Sequence, residues 1–353
     1  MNTKTDSIAD ASIADASSRV LAVPGDYSGC GWYRVIQPAR MLQNHGYDIT
    51  LAPAGQYRGM SDVTTLFTQR MKTPQILDGL EMYKKKSGVS VVCDFDDILW
   101  MTDSGETVPD YNFCRDRLDV VGTRKALDEK FDKIVDKVSV TTETLKKSVS
   151  EFCSDDKIVV IPNRLSWSEW HFELDPRVPQ EPVYGFFGSP THVGVQNKTY
   201  GDWSESMVKY FSDKPFISMG FKPWFLNRCQ MGPWSSIWKY AQSFREQAVK
   251  CTFIVVPLAN NLFNKAKSPL KYLECAAVGR VCLCSSFEGS PYEDLCHPYQ
   301  KIPEGADEKQ LQFIIHRALG AYNDILIHQY QVLNNYWLEN AVSDYSSLLS
   351  YKT

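Results

Sequence analysis

The residues best suited to chemistry cluster where a helix is about to begin. The run Asn264-Lys265-Ala266-Lys267-Ser268-Pro269-Leu270-Lys271-Tyr272-Leu273-Glu274 is followed by Cys275-Ala276-Ala277-Val278-Gly279. Ser268 suits a helix N-cap, Pro269 the first helical position and Gly279 the stop. A helix N-terminus offers unpaired N–H groups and the positive end of the helix dipole, which together favour phosphate. Lys267 adds a full positive charge. Glu274 lies about six residues further on, roughly 9 Å along the axis. A carboxylate there accepts hydrogen bonds from two ribose hydroxyls. The spacing matches a nucleoside diphosphate, gripped by Asn264, Lys267, Ser268 and Pro269 at one end and by Lys271 and Glu274 at the other. The bland reading of the same residues is a surface helix with a solvated Lys/Glu pair.

A second group is acidic. The β-branched run Val89–Cys93 stops at Asp94-Phe95-Asp96-Asp97. Carboxylates at the carboxyl end of a strand face the ligand crevice of a parallel sheet. Asp96 and Asp97 are candidates for general-base work, in which a carboxylate takes the proton of an attacking hydroxyl. Clustered carboxylates also suit Mg²⁺. The competing reading has one Asp capping a helix and another pairing with an arginine. Asp94 is expected to turn inward. Trp32 and Trp100 lie on segments expected to face the crevice and can stack a sugar or a base. His192 is a donor-site candidate, with capping or packing as its alternative.

The elements that must position these residues read as alternating strands and helices. Strand candidates are Arg19–Val23, Asp48–Ala52, Val63–Phe67, Val89–Cys93, Val138–Thr141 and Lys157–Ile161. A second set comprises Val183–Phe187, Phe216–Met219, Phe253–Pro257 and Arg280–Ser285. Helical spacing spans Tyr33–His45 and Thr73–Lys86, a polar helical stretch is expected up to Lys137, and an amphipathic tail covers 307–351. This rhythm argues for parallel sheets covered on both faces. Residues 1–18 repeat SIADA in tandem and read as a disordered tail. Residues 19–165 form one expected domain, 166–182 a linker rich in proline, and 183–320 a second domain. The 321–353 helices are expected to cross back to the first. Length agrees, since 353 residues exceed one ordinary domain. The net charge of −4 carries no global basic excess toward nucleic acid. No apolar run approaches the roughly 18 residues of a membrane span. Ten scattered cysteines without a CxxC read as reduced thiols of a cytoplasmic protein.

The 264–279 run resembles the donor-binding helix of GT-B glycosyltransferases, in particular the retaining enzymes called family four. Glu274 corresponds to the second glutamate of that family's Glu-x7-Glu motif; the first would fall at Ala266. Lys267-Ser268-Pro269-Leu270-Lys271-Tyr272-Leu273-Glu274 is closer to a branch with Lys-Ser-x-x-Lys-x-x-Glu. Gly29-Cys30-Gly31-Trp32-Tyr33-Arg34 is similar to the glycine-rich loop of the N-terminal GT-B domain. Gly185-Phe186-Phe187-Gly188-Ser189-Pro190-Thr191-His192 resembles the start of the C-terminal domain. Ile161-Pro162-Asn163 looks like the interdomain exit.

The resemblance implies a GT-B fold, with two Rossmann-like domains facing a central cleft and C-terminal helices. It implies a glycosyltransferase that moves a sugar from a UDP- or GDP-sugar to an acceptor hydroxyl, with no required cofactor and no metal. Donor contacts would come from Gly29, Gly31, Gly188, Ser189, His192, Asn264, Lys267, Ser268, Pro269, Lys271 and Glu274. Acceptor contacts would come from Trp32, Tyr33, Arg34 and Trp100, with Asp96, Asp97 and Lys267 catalytic. Charge for the departing diphosphate would come from Lys198, Lys222, Arg228 or Lys267, because Val193 stands where relatives carry arginine. Phage enzymes of this kind imply a hydroxymethylated DNA base as acceptor; a surface glycan competes. A nucleotide-binding module that has lost the chemistry is the reading from a different class.

Overall fold

The computed structural model describes residues 19–53, 62–71, 73–111, 118–173, 181–196, 198–233 and 235–350. The expected tail and residues 174–180 of the expected linker lie outside them. Twelve strands are formed among the described residues. The first six are β1 (Arg19–Val23), β2 (Asp48–Leu51), β3 (Thr65–Gln69), β4 (Ser90–Phe95), β5 (Lys137–Val140) and β6 (Ile158–Val160). The second six are β7 (Tyr184–Gly188), β8 (Phe216–Gly220), β9 (Cys229–Met231), β10 (Phe253–Val256), β11 (Val281–Ser286) and β12 (Lys301–Pro303). They make two six-stranded sheets, ordered β2-β1-β3-β4-β5-β6 and β12-β11-β10-β7-β8-β9. Every pairing within them is parallel.

The central strands are apolar at successive positions because both faces are covered. In β1, Leu21 and Val23 enter one core while Val20 and Ala22 enter another. In β10, Phe253 and Val255 face one core and Ile254 and Val256 the opposite one. Each sheet reverses its strand order once, between β1 and β3 and between β7 and β10. The crevice outside the carboxyl ends of the strands at such a reversal is where open α/β sheets bind ligands.

Four helices matter below: α1 (Gln37–Asn44), α2 (Pro74–Ser87), α3 (Leu270–Ala277) and α4 (Val342–Leu349). A π-helical turn, Trp32–Ile36, runs into α1. Leu165 donates to Tyr336 O and accepts from Leu338 N, so the chain passes twice between the lobes. Beyond that crossing, α4 packs Tyr345, Leu348 and Leu349 against Val20, Ala22 and Val35 of the first lobe.

Two expectations are corrected by the fold. The polar helical stretch up to Lys137 is helical only from Val120 to Ile134 among the described residues, through a π-turn at Leu127–Phe131. Trp100 does not face the crevice; it is fully buried, edge-on to Phe95 and Phe152, and completes the first lobe's aromatic core.

Candidate active site

The floor of the first lobe is built at its strand reversal. Asp26, just past β1, accepts hydrogen bonds from Ser28 N (2.8 Å) and Gly31 N (3.3 Å). A Cβ on Gly31 would lie 2.0 Å from Asp26 O, so only glycine closes this turn. Gly29 has open space beside it. Arg70 follows β3 with φ 57°, a left-handed conformation that is costly for a residue bearing a side chain. That conformation aims its guanidinium at the acids. It bonds Asp96 with two nitrogens (2.8 and 3.0 Å), reaches Cys30 Sγ (2.8 Å) and lies 3.6 Å from Asp97. Burial would raise the Asp96 carboxyl, but Arg70 outweighs it and holds the group below its ordinary value. Burial pushes the Cys30 thiol well up, against the pull of Arg70.

Asp94 turns inward, where Arg34 grips it with two nitrogens. Ser139 Oγ donates to the same carboxylate (2.6 Å). Arg34 also donates to Ile161 O (2.7 Å) and Asn163 Oδ1 (3.1 Å). Arg34 is fully buried, so the expectation that it touches an acceptor is corrected: its positive charge is bound within the fold.

The second lobe presents α3. Gly279 adopts φ 66°, Gly279 N bonds Ala276 O and Arg280 N bonds Cys275 O, a Schellman stop. The start differs from expectation. Pro269 is the N-cap residue, and Ser268 makes no cap; its Oγ accepts from Asn163 Nδ2 of the other lobe (2.7 Å). Lys267 Nζ stands 3.2 Å from Asp97 Oδ1 across the cleft and 4.2 Å from the Phe263 ring centre. Four residues on, Lys271 Nζ bonds Glu274 Oε2 and Tyr240 OH, each at 2.6 Å. Burial pulls the Lys271 ammonium down, but Glu274 and Tyr240 outweigh it and hold it above its ordinary value.

Glu274 lies between the lobes and is fully buried. It accepts from Tyr33 OH (2.9 Å), Tyr240 OH (3.3 Å) and Lys271. Burial and then Glu274 raise the Tyr33 phenol. Tyr33, expected on the acceptor, therefore stands on the candidate ribose carboxylate. Trp32 is 2% exposed, donates to Glu169 (3.3 Å) and meets the edge of Trp238, so it offers no bare stacking face.

The remaining donor candidates meet at the second strand reversal. Gly188 ends β7, and a Cβ there would press on the Phe186 ring at 2.7 Å. Ser189 is exposed. His192 Nδ1 lies 2.8 Å from Asp202 Oδ2. Asn264 is fully buried and donates to Asp202 Oδ1 (2.7 Å) and Ala259 O (2.9 Å); its Oδ1 has no partner. Val193 is buried in the core. Arg228 precedes β9 and so stands at the amino edge of the sheet, away from the crevice; that expectation is corrected. Lys198 and Lys222 are exposed.

Arg70, Asp202, Tyr240 and Tyr111 were not singled out by sequence, and Asn163 only as part of the interdomain exit, with no partner assigned. A positive φ on arginine carries no sequence signal, and the other four act through partners at least ten residues away.

Two Rossmann-like sheets facing across a cleft, with the last helix returned to the first lobe, define the GT-B fold. No protein-family profile and no curated sequence matches the chain. Solved structures do. HepE of Anabaena, in complex with UDP and glucose, has a TM-score of 0.62 at 9% identity, covering 94% of this chain and 98% of HepE. BGT of phage T4, with UDP and Mn²⁺, has a TM-score of 0.55 at 10% identity, covering 93% and 97%. The trehalose-6-phosphate synthase OtsA has a TM-score of 0.53 at 10% identity, covering 82% and 72%. At such identities the likeness speaks to the fold.

Proposed function

We propose that the chain is a glycosyltransferase that takes a sugar from a nucleotide-sugar bound on the second lobe and gives it to a hydroxyl presented by the first. The observation that carries this reading is the Lys267–Asp97 pair, 3.2 Å across the cleft. It sets the tip of α3 against the acidic floor, with the dipole and Lys267 on the phosphate side. Asp97, just past the carboxyl end of β4, is the acid placed to orient an attacking hydroxyl once Lys267 turns to the phosphate, because Arg70 bonds Asp96 with two nitrogens and approaches Asp97 only to 3.6 Å. Glu274 takes the ribose once the first lobe withdraws Tyr33. Structural relatives solved with UDP and with UDP and glucose support a uridine donor.

Cys30, Asp96 and Asp97 bring ligand atoms within 4.8 Å of one another. The set does not suit a divalent ion, since Arg70 already neutralises Asp96 and bonds Cys30.

No helix among the described residues is long and apolar enough to cross a membrane. The nine described cysteines are free, in keeping with a cytoplasmic enzyme. The acceptor hydroxyl is that of a hydroxymethylated DNA base, with a cell-surface glycan as the alternative. Salt-sensitive binding of duplex DNA supports the first and its absence the second.

Ala266 and Val193, both buried and apolar where relatives carry charged side chains, favour one rival, a nucleotide-binding module without turnover. The test is hydrolysis and transfer from a panel of UDP- and GDP-sugars, with Glu274→Ala as control. Turnover abolished by the substitution supports the proposal. Binding without turnover supports the rival.

A further inference from the structure

One amide on the floor of the first lobe is only half paired. Gln69 ends β3, at the reversal between β1 and β3 that opens the crevice. The residue is 3% exposed. Its Nε2 donates toward Asp96 Oδ1 at 3.5 Å. Its Oε1 is buried and has no partner among the described residues. A buried carbonyl oxygen without a donor has lost its water and gained nothing in return, so a native fold keeps one for a reason. The next residue, Arg70, carries the left-handed φ of 57°. Backbone strain and an unmet polar atom thus fall on successive residues, as they do where a fold is shaped for a ligand.

The amide has one allowed orientation. Exchanging its ends would set Oε1 against the Asp96 carboxylate, which Arg70 bonds with two nitrogens and keeps ionised. Oε1 therefore turns to Gly25, an exposed residue two places past β1. A Cβ on Gly25 would lie 3.5 Å from Oε1 and 3.3 Å from the Gln69 main-chain oxygen. Gly25 is not among the glycines with positive φ, so its backbone does not call for glycine. What the bare Cα supplies is room in front of the amide. The same ion pairs lead on to the attacking position, because Arg70 Nη2 bonds Asp96 at 3.0 Å and stands 3.6 Å from Asp97.

We infer that Gln69 selects the acceptor: its Oε1, in the space beside Gly25, takes a hydrogen bond from an N–H carried next to the attacking hydroxyl. The inference rests on the sugar-transfer reading with a DNA base as acceptor, and deepens it. An amide oxygen held in one orientation accepts and cannot donate. On a hydroxymethylated pyrimidine, the ring carbon beside the hydroxymethyl group carries an amine in the cytosine form and a carbonyl oxygen in the uracil form. The amine satisfies Oε1 while the hydroxyl lies on Asp97. The carbonyl would bring two acceptor oxygens together and leave both unpaired. Gln69 is then a specificity-determining residue, and Asp96, which fixes the amide, a positioning residue.

The test uses the full chain, a UDP- or GDP-sugar that it hydrolyses, and two duplexes that differ only in carrying 5-hydroxymethylcytosine or 5-hydroxymethyluracil. We expect the wild type to favour the cytosine duplex by about 10²-fold in kcat/KM. Gln69→Met keeps the side-chain length and removes the amide. It is expected to lower kcat/KM on the cytosine duplex by about 10²-fold and to leave the uracil duplex and donor hydrolysis unchanged. It should melt no lower than the wild type, because it removes the unpaired oxygen. Asp96→Asn, which frees the Gln69 amide to turn over, is expected to bring the ratio of the two duplexes toward one, a change that a merely structural acid would not produce. A wild type without preference, a preference that survives Gln69→Met, or a lower melt with equal losses on both duplexes overturns the inference and leaves the sugar-transfer reading intact. Donor hydrolysis without transfer to either duplex overturns it together with the DNA acceptor. A chain that hydrolyses no donor overturns the sugar-transfer reading as well.

Discussion

Removing the Tyr33 hydroxyl should make the proposed nucleotide site bind more tightly. Tyr33 OH donates to Glu274 at 2.9 Å inside a fully buried site. A ribose that takes Glu274 must first displace this bond. A hydrogen bond to a charged group contributes about 1.5–3 kcal/mol. Tyr33→Phe deletes the competitor and leaves Lys271 and Tyr240 on the carboxylate. The lower figure alone corresponds to about a tenfold decrease in Kd. Isothermal titration of UDP or GDP into both proteins measures it, with a matched thermal melt to gauge the loss of the interlobe bond. Weaker binding would mean that Tyr33 itself holds the nucleotide. Unchanged binding would mean that the Tyr33–Glu274 bond survives in the complex. Either result refutes the reasoning.

Other perturbations follow from the same geometry. Asp96 is held below its ordinary value by Arg70, so its stabilising contribution is complete above the unfolded value of about 3.9 and is lost as pH falls through the lowered folded value. Asp96→Asn should therefore cost about 3 kcal/mol in urea unfolding at pH 7, with the two curves converging below about pH 4; a gap independent of pH would contradict this. Lys267→Ala should lower kcat by about 10²-fold at saturating donor, because it removes the cation that stands before the tip of α3 opposite Asp97; an unchanged kcat would exclude it from catalysis. Trp100→Ala should cost about 3–5 kcal/mol in stability with acceptor KM unaltered, as expected of a core side chain.

Much of the fold can be read from local pattern. Val91–Cys93 and Phe253–Pro257 announce buried parallel strands because each residue is apolar whichever face it meets. Gly279 ends α3 as its φ of 66° requires. What escaped is non-local. Ser268 has the composition of a cap, yet Asn163 from the other lobe takes its hydroxyl. Trp100 and Arg34 carry the right chemistry for a ligand, but Phe95, Phe152 and Asp94 claim them first. Arg70 gains its place through a backbone conformation that arginine rarely adopts. The strands β9 and β12, each of three residues at a sheet edge, are too short for periodicity to register.

The most direct measurement is a crystal structure of the full chain with UDP or GDP diffused in. The account predicts the diphosphate at the tip of α3 within reach of His192, and both ribose hydroxyls on Glu274 with Tyr33 moved aside. A nucleotide lodged elsewhere, or Glu274 still closed over by Tyr33 with the nucleotide bound, would contradict it.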